Sequence, residues 1–220
     1  MGSNFIRHLY RNYPDYKIVN LDLLTYAGNL DNLKDVEVNE RYEFIHGDIC
    51  DKLLVDALLA KNKFDVVINF AAESHVDRSI VDAFQFVRTN LQGAYILLES
   101  VRYHKVPRFI YISTDEVYGD IPPGTKSSEQ YPLNPTNPYA ASKAGADLMV
   151  QAYMKTHHVP ALIIRSSNNF GPYQYPEKLH GMVITNFLEG IKIPVHGNGQ
   201  HLRSWIHVSD FCVALDLIMQ

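Results

Sequence analysis

Apolar residues fall into short blocks that stop at polar residues, and blocks of two different periods alternate along the chain. Tyr16 to Asp22, Tyr42 to Ile45, Asp65 to Phe70, Arg108 to Ile112 and Pro160 to Ile164 read as buried strands. Each runs into polar residues: Asp22 itself, then His46-Gly47-Asp48-Ile49, Ala71-Ala72-Glu73-Ser74, Ser113-Thr114-Asp115-Glu116 and Arg165-Ser166-Ser167-Asn168-Asn169. Between them lie helical periods. One carries Leu53, Val55, Ala57, Leu58 and Leu59; a second carries Phe84, Val87, Leu91, Ala94, Leu98 and Val101 at spacings of 3 or 4. A third, Ala140 to Tyr153, begins after Pro138, a residue suited to the first helical position.

Strands alternating with helices imply βαβ units and a parallel sheet, and strands apolar throughout imply a sheet covered on both faces. The expected fold is therefore α/β, a doubly wound parallel sheet of Rossmann type, with ligands at the carboxyl edge where the polar strand ends collect. From about Gly171 the composition turns to Pro/Tyr/Gly-rich loops, a helix near Met182 to Glu189, and Pro194-Val195-His196-Gly197-Asn198-Gly199. Residues 1–170 thus read as a dinucleotide-binding domain and 171–220 as the start of a smaller substrate-binding subdomain, ending in a helix-like stretch from Asp210 to Gln220.

The start of the chain is unusual for this pattern, because Met1-Gly2-Ser3 leads straight into an amphipathic, helix-like stretch from Asn4 to Tyr10. No strand precedes it, and the features of a signal peptide are absent. The 220 residues carry 20 Lys+Arg against 24 Asp+Glu, a net charge of -4, which argues against binding nucleic acid or an anionic membrane. No apolar run approaches the roughly 18 residues that span a bilayer. Two distant cysteines, Cys50 and Cys212, make no disulfide framework or CxxC motif, so a cytoplasmic setting is the default expectation. His75, His157, His158, His180 and His207 show no metal-binding spacing, and no metal site is assigned.

Tyr139 and Lys143 form a Y-x-x-x-K pair, one helical turn apart on one face. A neighbouring ammonium favours phenolate and would draw the Tyr pKa down towards neutrality, making it a proton acceptor for an alcohol. By spacing alone, a solvated surface pair is the commoner explanation. The strand end Thr114-Asp115-Glu116 adds a hydroxyl and two carboxylates, of which one can be held as an acid while the other works as a base. Taken in isolation it is equally a polar loop cap. Asp22 stands where Rossmann proteins place an acid on the adenosine ribose, which would favour NAD over NADP, or else it is an ordinary turn residue. Arg203, after Gly197 and Gly199, is a phosphate partner or a surface residue.

These segments together resemble the extended short-chain dehydrogenase/reductases, and closely the nucleotide-sugar dehydratases of the dTDP-glucose 4,6-dehydratase type. The resemblance rests on Leu23-Leu24-Thr25-Tyr26-Ala27-Gly28-Asn29, Ala71-Ala72-Glu73-Ser74-His75-Val76-Asp77-Arg78-Ser79 and Ser113-Thr114-Asp115-Glu116-Val117-Tyr118-Gly119. It continues through Tyr139-x-x-x-Lys143, Ser167-Asn168-Asn169-Phe170-Gly171-Pro172-Tyr173 and Tyr175-Pro176-Glu177-Lys178 to the Arg203 segment, essentially the whole chain. The adjacent Asp-Glu is its specific part, since related epimerases and decarboxylases share Y-x-x-x-K but usually lack it.

The resemblance implies NAD as cofactor, contacted by Asp22, Leu23, Leu24, Thr25, Asp48, Ile49, Phe70, Ala71, Ala72, Glu73, Thr89, Tyr139, Lys143 and Asn169. It implies a nucleotide sugar as substrate, contacted by Ser74, Thr114, Asn168, Lys178, Leu179, Pro194, Val195, His196 and Arg203. The implied reaction converts dTDP-glucose to its 4-keto-6-deoxy product and water, with Thr114, Asp115, Glu116, Tyr139 and Lys143 catalytic, in a homodimer packed through the helices after Phe84 and Pro138. The family opens with a strand and a G-x-x-G-x-x-G turn, of which only Gly2-Ser3 has a counterpart, and it continues beyond residue 220. The expectation is thus a larger enzyme trimmed at both ends, its activity in this form open. A nucleotide-sugar epimerase and a catalytically silent binding module are the competing expectations.

Overall fold

In the computed structural model, which describes every residue except Pro123 and His196, the strands are β1 (Ile18–Asp22), β2 (Tyr42–His46), β3 (Val66–Asn69), β4 (Arg108–Thr114), β5 (Ala161–Ser166), β6 (Asn168–Phe170) and β7 (Trp205–His207). The helices are α1 (Gly2–Asn12), α2 (Lys52–Asn62), α3 (Val76–Val81), α4 (Phe84–Phe86), α5 (Gly93–His104), α6 (Pro138–His157), α7 (Leu179–Leu188) and α8 (Val208–Met219). Every strand pairing is parallel: β1 with β2, β4 with β3 and β5 on either side, and β6 with β7. Each of the five expected strands is present, within a few residues of the apolar block that marks it.

Strand β4 shows why its block is apolar throughout. Its side chains alternate across the sheet, so Phe109 and Tyr111 enter one core with Val55, Leu98, Val101 and Val150, from α2, α5 and α6. Ile110 and Ile112 enter the opposite core with Phe5 and Leu9 of α1 and Phe211, Cys212 and Leu215 of α8. Phe109, Ile110 and Tyr111 are all completely buried. A strand sandwiched between two helical layers has no water-facing side, which is the doubly wound arrangement.

Edges β1 and β3 face each other without a backbone ladder, across a cavity of about 1040 Å³ lined by Val19, Leu21, Asp22, Val66, Ile68 and Phe70. Gly2 and Ser3, at the start of α1, also line it.

Two sequence expectations are modified. The regular helix from Phe84 to Val101 is interrupted by a π-helical turn, Val87–Gln92, between α4 and α5. The extra residue in that turn sends Asn90 inwards, where it is 1% exposed. The last helix of the segment read as a second subdomain, α8, packs on α1: Asp216 accepts hydrogen bonds from His8 (2.8 Å) and Tyr13 (3.2 Å). Residues 208–219 therefore share the core of the first domain, and only the loops and α7 lie outside it.

Candidate active site

At the carboxyl end of β4 the chain turns through a short 3-10 helix, Asp115–Tyr118, that presents Thr114, Asp115 and Glu116 together. The Thr114 hydroxyl accepts the Glu116 N–H at 3.2 Å and reaches the Asp115 carboxylate at 3.4 Å. Gly119 ends the turn at φ +71°, and an added Cβ would stand 2.0 Å from the Asn134 carbonyl oxygen. Only glycine fits both demands.

Helix α6 approaches from the other side. Its N-cap, Asn137, accepts the Ala140 N–H at 2.8 Å, with Pro138 in the first turn, and its side-chain amide donates to Glu116 Oε2 at 3.4 Å. The cap thus ties the helix carrying Tyr139 to the turn carrying the carboxylates. Burial, and then the neighbouring Glu116, raise the Asp115 pKa, while the Thr114 hydroxyl and Arg203 oppose the rise. A raised carboxyl suits a proton donor.

Tyr139 and Lys143 do share one face, but the charge relationship differs from that expected of the pair. Tyr139 is raised above its ordinary value, first by burial and then by Glu116, with the Thr114 hydroxyl opposing. Lys143 instead yields to its own burial: it is 3% exposed, and its pKa falls from 10.5 to about 7. Its ammonium donates to the Ile112 carbonyl at 2.7 Å and lies 4.3 Å from the centre of the Tyr111 ring. For both residues desolvation is the largest influence, and for Lys143 it outweighs the opposing pull of Asp147.

The residues expected to meet a dinucleotide largely line one cavity, the one between β1 and β3: Asp22, Leu24, Ile49, Phe70, Ala71 and Ala72, with Tyr139 and Lys143. Ser74, expected on the substrate, lines it too. Asp22 accepts the Leu24 N–H at 2.7 Å, bending the chain so that Leu24 adopts φ 52°. Leu23 is exposed, its carbonyl bonded to His46, and Thr25 follows in the same turn. Burial alone would raise Asp48, but the Cys50 N–H and the Arg88 guanidinium outweigh it and hold the carboxyl below its usual range. Thr89 lies half-buried in the π-turn, and Glu73 is raised by burial. Asn169 donates to Ser166 Oγ at 2.7 Å and leaves its buried Oδ1 without a partner.

An acid, Asp22, and the Tyr139/Lys143 pair line this one cavity, groups that suit the ribose and nicotinamide parts of a dinucleotide. The start of α1, which also lines it, offers backbone N–H groups with no side-chain cap.

Lys178 donates to the Ser74 carbonyl at 2.7 Å, its pKa lowered by burial, while Glu177 and Glu116 act on it in the opposite direction. Arg203 is exposed, close enough to Asp115 to act on its charge. Asn168 donates to the Ser204 carbonyl at 3.3 Å across the β6–β7 pair. Leu179 is exposed at the start of α7, and Pro194 and Val195 are exposed in the loop before β7. No hydrogen bond among the described residues ties these three to the carboxylates, and His196 lies outside the described residues.

Three further groups escaped sequence reasoning. Asn90 accepts the Glu73 N–H and donates to the Glu73 carbonyl and to Ser142 Oγ, all at 2.9 Å, joining the loop after β3 to the first turn of α6. Glu177 accepts from the Tyr26 hydroxyl at 3.0 Å and stands 3.8 Å from His75 and 3.7 Å from Arg78, joining the loops after β1, β3 and β6. Asp147, one turn beyond Lys143, is completely buried against Arg165. The only sequence signal was a polar residue inside an apolar helical period.

The family model described as GDP-mannose 4,6 dehydratase matches residues 1–220. The low-salt glycan biosynthesis protein Agl12 of Haloferax volcanii is 51% identical over 220 residues, all of this chain and 70% of that protein. The dTDP-glucose 4,6-dehydratase of Streptomyces niveus is 46% identical over 223 residues, 100% of this chain and 66% of that one. Among solved structures, dTDP-glucose 4,6-dehydratase DesIV of Streptomyces venezuelae, with NAD and TYD bound, superimposes with a TM-score of 0.94 at 45% identity. It covers 99% of this chain, which spans 68% of DesIV. This chain thus spans about two thirds of the length of these relatives.

Proposed function

The chain belongs to the GDP-mannose 4,6 dehydratase family, and on that premise we propose that its site serves an NAD-dependent 4,6-dehydration of a nucleotide hexose, dTDP-glucose foremost. The observation that carries this reading is the convergence of Thr114, Asp115 and Glu116 with Tyr139: two hydroxyls and two adjacent carboxyls at one sheet edge, with Asp115 raised by burial.

Each residue has a chemical task. Tyr139 takes the proton of the sugar C4 hydroxyl, with Thr114 hydrogen-bonded to the same oxygen. Lys143, as an ammonium, favours the phenolate that this transfer requires. Asp22, Asp48 and the wall from Phe70 to Glu73 would hold NAD, whose chemistry there would be the reversible acceptance of a hydride between C4 and C6. With C4 a ketone, the C5 proton becomes acidic and Glu116 removes it. Asp115, its pKa raised by burial, protonates the departing C6 hydroxyl, and water leaves. Lys178 and Arg203 face the diphosphate, which a chain of net charge -4 must meet with local cations.

The test uses dTDP-glucose deuterated at C4, incubated with NAD. The expected product has lost one water, carries deuterium at C6 and has taken a solvent hydrogen at C5. An unchanged sugar, or one inverted only at C4, overturns the reading in favour of a binding module or an epimerase.

We also infer a homodimer, supported by Phe84, Tyr95 and Tyr103 of α4 and α5 and Leu148 and Met154 of α6, apolar side chains left exposed on neighbouring helices. Free Cys50 and Cys212 suit a reducing, cytoplasmic setting. No helix among the described residues is long and apolar enough to cross a membrane. Light scattering that gave a monomer mass would count against the dimer.

A further inference from the structure

One buried ionised pair takes no part in the chemistry above. Asp147 is completely buried, and its Oδ2 accepts from Arg165 Nε at 2.7 Å. Its Oδ1, on the side of Ser113, has no partner of hydrogen-bond geometry among the described residues. Arg165 is fixed in turn by the Tyr118 hydroxyl (3.0 Å) and the Glu129 carbonyl (2.7 Å). A buried pair of this kind gains little stability over apolar residues of the same shape, because desolvating two charges costs about as much as their attraction returns. The pair calls for a purpose other than stability.

Its position supplies one. Tyr139, Lys143 and Asp147 follow at intervals of four along α6, so their side chains form one row on the face that packs on β4. The surroundings of Lys143 are the Tyr111 ring and Ile112 carbonyl from β4, and Tyr139 and Asp147 from its own helix. Among the described residues Asp147 is the one carboxylate acting on Lys143. Around Asp147 stand Arg165 from β5, Tyr111 and Ser113 from β4, and Lys143. The hydroxyls of Tyr111 and Ser113 are buried there with no hydrogen-bond partner among the described residues.

We propose that Asp147 is a positioning residue for the Tyr139/Lys143 pair: its buried carboxylate, pinned by Arg165, is the counter-charge that favours the ammonium form of Lys143. This rests on the dehydratase reading for its consequence in catalysis, though not for the charge effect itself. Burial brings Lys143 down to about 7 even with Asp147 opposing it, so loss of that anion would take it lower still. Tyr139 would then lose the ammonium one turn along α6 that favours its phenolate.

The test reads Lys143 directly, by NMR of the chain labelled at lysine Cε, titrated without cofactor or sugar. In Asp147→Asn the Lys143 midpoint is expected to fall by roughly 1 unit or more, and Asp147→Glu to restore most of it. Removing Asp147 alone strands Arg165, so a second variant, Asp147→Leu with Arg165→Met, removes both charges and leaves none unpaired. It should fold and show the same fall. A Lys143 midpoint unchanged in this double variant overturns the proposal, whatever happens to Tm.

In dehydratase assays of Asp147→Asn, the alkaline limb of the kcat profile should move to lower pH by the same amount, a shift that a merely structural residue would not produce. Should no variant and no wild-type chain turn over dTDP-glucose, the dehydratase reading fails while the lysine titration still decides the role of Asp147.

Discussion

The Thr114 hydroxyl accepts a hydrogen bond from the backbone N–H of Glu116 at 3.2 Å, so the residue that ends the central strand also starts the turn carrying both carboxylates. Replacing it with valine keeps the shape and removes the cap. Thr114→Val is expected to cost about 1 kcal/mol in urea unfolding, as helix caps generally do. It should lower kcat on the order of 10²-fold through misplacement of Asp115 and Glu116, whereas Thr114→Ser should retain most of both.

Gly119 closes the same turn. Alanine there would meet both a left-handed backbone and the Asn134 carbonyl oxygen 2.0 Å from its Cβ. Gly119→Ala should lower stability by about 2–3 kcal/mol, measured by thermal unfolding, because strain and overpacking add.

The two carboxylates are expected to separate by isotope. Glu116→Gln should abolish solvent exchange at sugar C5 while hydride still leaves C4. Asp115→Asn should permit C5 exchange but slow loss of water, each with a fall in kcat on the order of 10²- to 10⁴-fold. Equal effects of both variants on C5 exchange would argue against distinct roles.

Lys143 makes stability depend on pH in a definite direction. Its pKa falls from 10.5 to about 7 on folding, so below the lower value both states hold the proton and the full cost of burying an ammonium is felt. Between the two values the unfolded chain binds more protons, and the contribution of this residue to stability rises with pH. Relative to wild type, Lys143→Met should be most favoured near about pH 6 and lose roughly 4 kcal/mol of that advantage by about pH 10, followed by urea unfolding across pH.

Asn90 is 1% exposed and makes three hydrogen bonds of 2.9 Å. Asn90→Leu should cost about 3 kcal/mol, because the Glu73 amide and carbonyl and the Ser142 hydroxyl lose a partner they cannot replace with water. The loop from Ala71 to Ser74 would also loosen, and faster amide exchange there is the measurement that separates this from a general loss of stability.

The features legible along the chain are local. The apolar blocks mark β1 to β5 because a strand covered on both faces has no place for water-facing residues, and β4 divides its side chains between two cores accordingly. Pro138 after a capping asparagine sets the start of α6, and a spacing of four places Tyr139 and Lys143 in one row. The environments of the side chains come from long-range packing. Asp147 meets Arg165 from a strand 18 residues away, Asn90 turns inwards at a π-turn to reach both Glu73 and Ser142, and α8 returns to α1 across more than 200 residues. The charge state of the Tyr139/Lys143 pair belongs with these. Spacing suggested a lysine lowering a tyrosine, whereas burial raises the tyrosine and lowers the lysine. Desolvation depends on every group packed around a charge, and those groups come from parts of the chain that no local pattern connects.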